Sequence, residues 1–198
     1  MVLVSIDGNI GAGKSTVIHY LKNRHHYDID LEPVDDWLPF LQDMYKNNKD
    51  AFEFQVKVWL DRIYNAHYSS QVTTIAERSG FFQWNVFSKV NFDNGKLNGR
   101  QYTILKNLYD KQPFHPDIYI YLQTHPSHCY KRIHKRSRNC ESDIKLEYIT
   151  ALHQLHENAY ELLQEEDIPH VYMVQVEGKT AEEIGEEIHQ LIQQATEA

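Results

Sequence analysis

The sequence predicts an α/β fold, a five-stranded parallel sheet with helices on both faces. Three observations carry that prediction. Five short apolar runs of strand length recur along the chain, at 2–7, 28–31, 72–76, 118–122 and 171–176. Between them lie longer segments with apolar residues three and four apart, near 51–68, 146–163 and 181–194, the spacing of one helix face. A glycine-rich turn directly follows the first run. Strands joined through helices make right-handed crossovers and pair in parallel. In such sheets ligands bind beyond the carboxyl ends of the strands, so the informative residues are those that directly follow strands. No repeat, low-complexity tract or Pro/Gly/Ser-rich linker divides the chain, and residues 1–198 read as one domain.

Composition narrows the function. With 28 Asp and Glu against 20 Lys and Arg, the formal charge is −8, which argues against a nucleic-acid-coating role. Cys129 and Cys140 are too few for a disulfide framework and have no metal-ligand spacing. No apolar run approaches the roughly 18 residues that a membrane span needs. The start, Met1-Val2-Leu3-Val4-Ser5-Ile6, has neither the length nor the basic flank of a secretory signal. The expectation is a soluble, reducing compartment such as the cytoplasm, with no membrane or nucleic-acid partner.

The first strand runs into Gly8-Asn9-Ile10-Gly11-Ala12-Gly13-Lys14-Ser15, followed by Thr16, a full match to G-x-x-x-x-G-K-[ST]. Glycines let backbone N–H groups turn inward around phosphate oxygens, and the next helix points its positive end at the same anion. Lys14 supplies a mobile charge to the outer phosphates, and the Ser15 hydroxyl is a Mg²⁺ ligand. Strand before and helix after give the motif its required context, so a nucleoside triphosphate is the expected ligand, although the loop alone does not separate GTPases, ATPases and small-molecule kinases. No guanine-reading N-K-x-D follows a strand, and transfer to a small acceptor is the simplest use of the loop in a chain of this size.

The second strand ends at Glu32-Pro33-Val34-Asp35-Asp36-Trp37 and the third at Glu77-Arg78-Ser79. Both clusters belong at the sheet edge beside the phosphate loop. A neutral hydroxyl is a very weak acid, so transfer to it gains from a carboxylate that takes its proton. Glu32 is the candidate base. Glu77 ends the strand next to Ser15 and is placed to hold Mg²⁺, directly or through water. Arg78 is expected to orient Glu32 and to neutralise charge near the transferred group.

Taken together, Gly8-Asn9-Ile10-Gly11, Glu32-Pro33-Val34 with Trp37, Phe54-Gln55 and Glu77-Arg78-Ser79 resemble the deoxynucleoside kinase family. The resemblance runs on through 132–141 and Leu152-His153-Gln154-Leu155-His156-Glu157, with the motifs in the same order. It implies a P-loop kinase fold, ATP-Mg²⁺ as donor, the 5′-hydroxyl of a deoxynucleoside as acceptor, and a homodimer built from helices.

The resemblance also assigns a base pocket. Gln55 resembles the base-reading glutamine, Phe54 and Trp37 resemble pocket walls, and Tyr45 with Glu141 resembles the grip on the sugar 3′-hydroxyl. Gln55, Val58 and Arg62 are three and four apart and are expected to share a helix face, as are Gln83 and Phe87. Arg62 falls where the deoxycytidine and deoxyguanosine enzymes carry an arginine, but Gln83 replaces its usual aspartate partner. That mixed signal predicts broad specificity, with thymidine and deoxycytidine slightly favoured.

Lys131-Arg132-Ile133-His134-Lys135-Arg136-Ser137-Arg138 is the one basic run in an acidic chain. Arg132 and Arg136 lie one helical turn apart and can reach one target. By resemblance this is a lid, about 132–142, whose Arg132, Arg136 and Arg138 contact phosphates while Glu141 folds over the sugar. His134 stands where relatives can carry another arginine, so the grip on phosphate is expected to loosen as His134 loses its proton. Two rival readings are a nucleoside monophosphate kinase of the thymidylate type and, from another class, a non-enzymatic nucleotide- or nucleic-acid-binding module that uses the basic run.

Overall fold

Strand β1 (Leu3–Gly8) is buried along its whole length, as a run of Leu, Val and Ile must be at the centre of a sheet. In the computed structural model, which describes residues 2–46, 50–64, 68, 72–166 and 168–197, β1 is flanked by β3 (Thr74–Glu77) and β4 (Ile118–Gln123). β2 (Asp28–Asp30) and β5 (Val171–Gln175) form the edges, giving the order β2-β3-β1-β4-β5. Every pairing is parallel, with Leu3 opposite Thr74 on one side and Val4 opposite Ile118 on the other. All five expected strands are present, within two residues at each end. The carboxyl ends of β1, β2 and β3 therefore converge, where Gly8, Glu32 and Arg78 follow.

The helices cover both faces. α1 (Lys14–His25) follows the glycine loop, and α2 (Val34–Lys46) follows β2. α3 (Ala51–Val58) passes into a π-helical stretch, Trp59–Tyr64; the rest of the expected helix, 65–67, lies outside the described residues. α4 (Gly80–Phe82), a second π-helical stretch at Gln83–Ser88 and α5 (Lys89–Asp93) run on as one helical rod. α6 (Gly99–Asp110) starts at a capping box of Asn98 and Gln101. α7 (Pro126–Arg136), α8 (Leu146–Glu165) and α9 (Ala181–Glu197) complete the order.

Two apolar clusters result. The larger sandwiches the sheet, with Ile6, Ile120 and Leu122 against Ile18, Leu152 and Ile188. The smaller one, around Trp37, Phe54, Trp59 and Trp84, lies among α2, α3 and α6. It carries the weight of holding those helices as a wall beyond the sheet edge.

α1 and α9 cross closely because Gly185 has no side chain. A Cβ there would lie 2.3 Å from Cδ1 of the Tyr20 ring. That ring is tied down by its hydroxyl, which donates to Glu186 Oε1 at 2.6 Å. Gly185→Ala is therefore expected to lower unfolding stability by about 1–3 kcal/mol through overpacking, despite alanine's better helix propensity. Urea unfolding measures it, and an unchanged midpoint would mean that the two helices do not touch at this point.

Candidate active site

The glycine loop is shaped by contacts that only its sequence allows. Gly11 has φ +80°, and a Cβ on it would sit 2.7 Å from the Cys129 carbonyl of α7. Asn9 anchors the loop to α8, its Nδ2 donating to the Ile149 carbonyl at 2.9 Å. Lys14 folds back along the loop, donating to the Gly8 and Asn9 carbonyls at 3.2 Å each. Ser15 Oγ donates to Glu77 Oε1 at 2.9 Å, and Lys14 Nζ lies 4.0 Å from the same oxygen. A hydroxyl and a carboxylate side by side at a phosphate loop form an oxygen donor set suited to Mg²⁺, which takes one or two protein oxygens beside phosphates and water.

Across from the loop, Glu32 and Arg78 meet. Arg78 Nε donates to Glu32 Oε1 at 2.6 Å, and its guanidinium lies 4.1 Å over the Phe87 ring. Arg78 has φ +71°, the left-handed region that costs a non-glycine residue about 1–2 kcal/mol. Three hydrogen bonds hold it there: its N–H to the Ile6 carbonyl at 3.0 Å, the Ser79 N–H to Asp7 Oδ1 at 2.8 Å, and the Glu77 carbonyl from Arg62 Nη2 at 2.9 Å.

Electrostatics follow from this crowding. Burial alone would push the Glu32 carboxyl up, but the charges of Arg78 and Lys14 outweigh it and hold Glu32 below the usual carboxylate value. Arg78 is buried too, which works against its charge, yet Glu32 raises it overall. Lys14 is lowered, by burial first and then by Arg78. Asp7, fully buried behind the site, is raised by burial.

A cavity of about 330 Å³ opens between these groups. Gly11, Gly13, Lys14, Ser15 and Thr16 form its phosphate-loop end, with Ile10 beside them. Glu32, Glu77 and Arg78 stand at its middle. Trp37, Tyr45, Phe54, Val58, Gln83 and Phe87 wall the far end, as the sequence suggests. Trp37 and Phe54 meet edge to face at 5.7 Å, and Tyr45 stands edge-on to Tyr148 at 6.1 Å. Gly8, Asn9 and Ala12 shape the loop from behind without lining the cavity.

The basic segment expected to act as a lid closes the remaining side. Arg132, Arg136, Arg138 and Glu141 all line the cavity. Arg136 grips Glu141 with two bonds of 2.8 and 2.6 Å, and Arg138 lies 3.6 Å from the same carboxylate. Arg132 Nη1 donates to the Ala12 carbonyl at 3.0 Å, so α7 rests on the phosphate loop.

Two expectations are corrected, those for Arg62 and His134. Arg62 does not reach the cavity: after Val58 the backbone widens into a π-helical turn, which breaks the four-residue spacing that would align the two. Its guanidinium instead binds Asp30 and the Glu77 carbonyl. Gln55 is buried on α3 next to Phe54 and Val58, which line the cavity. It touches the wall through Gln83, whose Nε2 donates to Gln55 Oε1 at 2.7 Å, while Ser88 Oγ donates to the same oxygen at 3.1 Å. His134 lies on the outer side of α7, edge-on to Tyr130 at 4.1 Å, away from the phosphate end.

Five lining residues escaped the sequence reading: Val34, Leu41, Met44, Asn91 and Tyr148. The first three repeat every three or four residues with Trp37, a signal that was available. Asn91 lies four after Phe87. Tyr148 had no signal; burial pushes its hydroxyl up to about 12.

Comparisons with known proteins agree with this geometry. A sequence model of the family described as deoxynucleoside kinase matches residues 4–197. The putative kinase protein 029R of Invertebrate iridescent virus 3 is 31% identical over 158 residues, 78% of this chain and 80% of that protein. Human mitochondrial thymidine kinase 2 is 30% identical over 167 residues, 78% of this chain and 63% of that protein. A solved structure of deoxyadenosine kinase from M. mycoides, with products dCMP and dCDP bound, superposes with a TM-score of 0.83 at 26% identity, covering 98% of this chain and 99% of that one.

The charge balance around Glu32 gives a direct expectation. Its folded-state value is depressed, so it stays ionised as pH falls through the ordinary carboxylate range of about 4.3 and takes up its proton only below that. Carboxyl carbon-13 NMR follows the titration. A midpoint above the ordinary range would mean that burial, not Arg78, controls the group.

Proposed function

This chain belongs to the deoxynucleoside kinase family, and from that premise we propose that it transfers the terminal phosphoryl group of ATP to the 5′-hydroxyl of deoxynucleosides, releasing deoxynucleoside monophosphates. The observation that carries this reading is the Glu32–Arg78 pair at 2.6 Å, set between a phosphate loop and an aromatic-walled cavity of about 330 Å³. That volume falls within the roughly 300–1,000 Å³ of small-molecule sites.

The chemistry assigns each side chain a task. Glu32, ionised at neutral pH, accepts the proton of the 5′-hydroxyl as its oxygen attacks the γ-phosphorus. Arg78 holds Glu32 in place and faces the charge that spreads over the transferring group. Lys14 neutralises the outer phosphates from the loop side, and Arg132, Arg136 and Arg138 do so from the lid. Ser15 and Glu77 would hold Mg²⁺, which when bound screens the phosphate charge. Tyr45 and Glu141, which both line the cavity, are assigned the grip on the sugar 3′-hydroxyl. Phe54, Trp37 and Phe87 offer ring faces to a base.

A base in this pocket meets neutral amides. Gln83, backed by Gln55 and Ser88, presents hydrogen-bonding groups without a charge, and Arg62 is held elsewhere. A neutral, partly apolar wall with Val58 and Met44 supports broad specificity, with thymidine and deoxycytidine slightly favoured. A homodimer belongs to the same reading, supported by apolar surface at Leu60 and Ile104, each 47% exposed on helical segments. So does a reducing compartment, since Cys129 and Cys140 are both free and buried. No helix among the described residues is long and apolar enough to cross a membrane.

A labelled phosphate-transfer panel with four deoxynucleosides and their monophosphates tests the proposal. Label in the monophosphate products is expected; transfer to thymidine monophosphate but not thymidine would point to the thymidylate type instead. Glu32→Gln should lower kcat by about 10²–10⁴-fold with nucleoside affinity nearly intact. Retained turnover in that variant would remove Glu32 as the base.

A further inference from the structure

Arg62 is 5% exposed and lies away from the cavity, yet its guanidinium touches both strands that deliver the reacting pair. Its Nη1 is ion-paired with Asp30 Oδ1, and its Nη2 donates to the Asp30 carbonyl at 3.2 Å and to the Glu77 carbonyl at 2.9 Å. Asp30 is the last residue of β2, and Glu77 the last of β3. The ladder between these strands ends where Asp30 meets Ala76. Beyond that point the chain turns away to Glu32 on one side and into the left-handed Arg78 on the other.

β2 is a three-residue edge strand and has little pairing of its own to fix where Glu32 points. The Glu77–Arg78 peptide must hold an unfavourable φ, and its carbonyl is satisfied by Arg62 while its N–H reaches the Ile6 carbonyl. Arg62 thus crosses the gap at the place where the sheet stops holding the two strands together. Tyr68 supports the clamp from outside, donating to Asp30 Oδ2 at 3.0 Å. A guanidinium so engaged has no reach to a base.

We infer that Arg62 is a positioning residue: it clamps the ends of β2 and β3 so that Glu32 and Arg78 meet at the cavity, and it does not read the base. The consequence for turnover rests on the kinase reading above, whereas the clamp itself does not.

Arg62→Met, Arg62→Lys and Asp30→Ala test it against all four deoxynucleosides. In Arg62→Met kcat is expected to fall at least tenfold, by the same factor within threefold for every base, with KM changing less than threefold. Arg62→Lys should recover part of the loss, because it keeps one donor and the charge. A change of more than tenfold in the ratio of kcat/KM between bases, or a kcat within twofold of the unmodified chain in Arg62→Met, would overturn the inference.

A second readout needs no turnover and tolerates a poorly folding Arg62 variant. Asp30 is partly exposed, so Asp30→Ala removes the clamp's anchor with less risk to the core. The Arg78 Nε–H that donates to Glu32 at 2.6 Å reports the contact directly. In Asp30→Ala its exchange with solvent, followed by nitrogen-15 NMR, is expected to quicken at least tenfold while the amides of β1 and β4 keep their rates. An unchanged Arg78 rate, or a quickening shared by β1 and β4, refutes the clamp. If the unmodified chain phosphorylates none of the four nucleosides, the kinase reading falls while this exchange still decides the clamp.

Discussion

The contact on which the site depends is the buried ion pair of Glu32 and Arg78. Taking either charge out of water alone would cost several kcal/mol, so each requires the other. The pair is tolerable because it sits in a wider balance. Lys14 and Arg62 add positive charge, and Asp7, Glu77 and Asp30 add carboxylates, all within the carboxyl edge of three strands. That balance makes the geometry stiff: moving one member leaves another buried and unpaired. It also explains why a short edge strand such as β2 can present the Glu32 carboxylate with definition.

The segment from Arg132 to Glu141 uses the same logic with more solvent. Arg136 and Arg138 share Glu141, and Arg132 leans on the carbonyls of the phosphate loop. The one carboxylate offsets part of the repulsion among three cations that line the same cavity. The aromatic cluster beyond the sheet edge supplies the opposite wall, so a polar, charged end and a ring-lined end face each other across one opening.

How much of this was legible in the sequence depended on how local the cause was. The five strands and the phosphate loop follow from short apolar runs and a glycine motif, and each was placed within two residues. Glu32, Glu77 and Arg78 were legible because residues directly after parallel strands gather at one edge. Arg62 was not, because the argument assumed an α-helix of constant period. Trp59–Tyr64 and Gln83–Ser88 widen into π-helical turns, and apolar spacing does not announce such a change. Val34, Leu41 and Met44 were readable from their spacing with Trp37. The pairing of Tyr45 with Tyr148 depends on how α2 and α8 pack, which no local pattern encodes. The grip of Arg136 on Glu141 likewise follows from the left-handed turn at Ser137, which folds the chain back after α7.

The sheet order carries a consequence for how the chain assembles. The first strand to be made is the middle strand of the finished sheet. Its two neighbours start only at residue 74 and residue 118, so an apolar ribbon waits with both edges unsatisfied until β3 is made and with one edge open until β4 follows. Closure over such sequence distances is slow, and exposed strand edges invite pairing with other chains in the interval. Nascent-chain aggregation is thus a hazard written into the topology itself, and the early emergence of α1 against β1 is the one local cover the order provides.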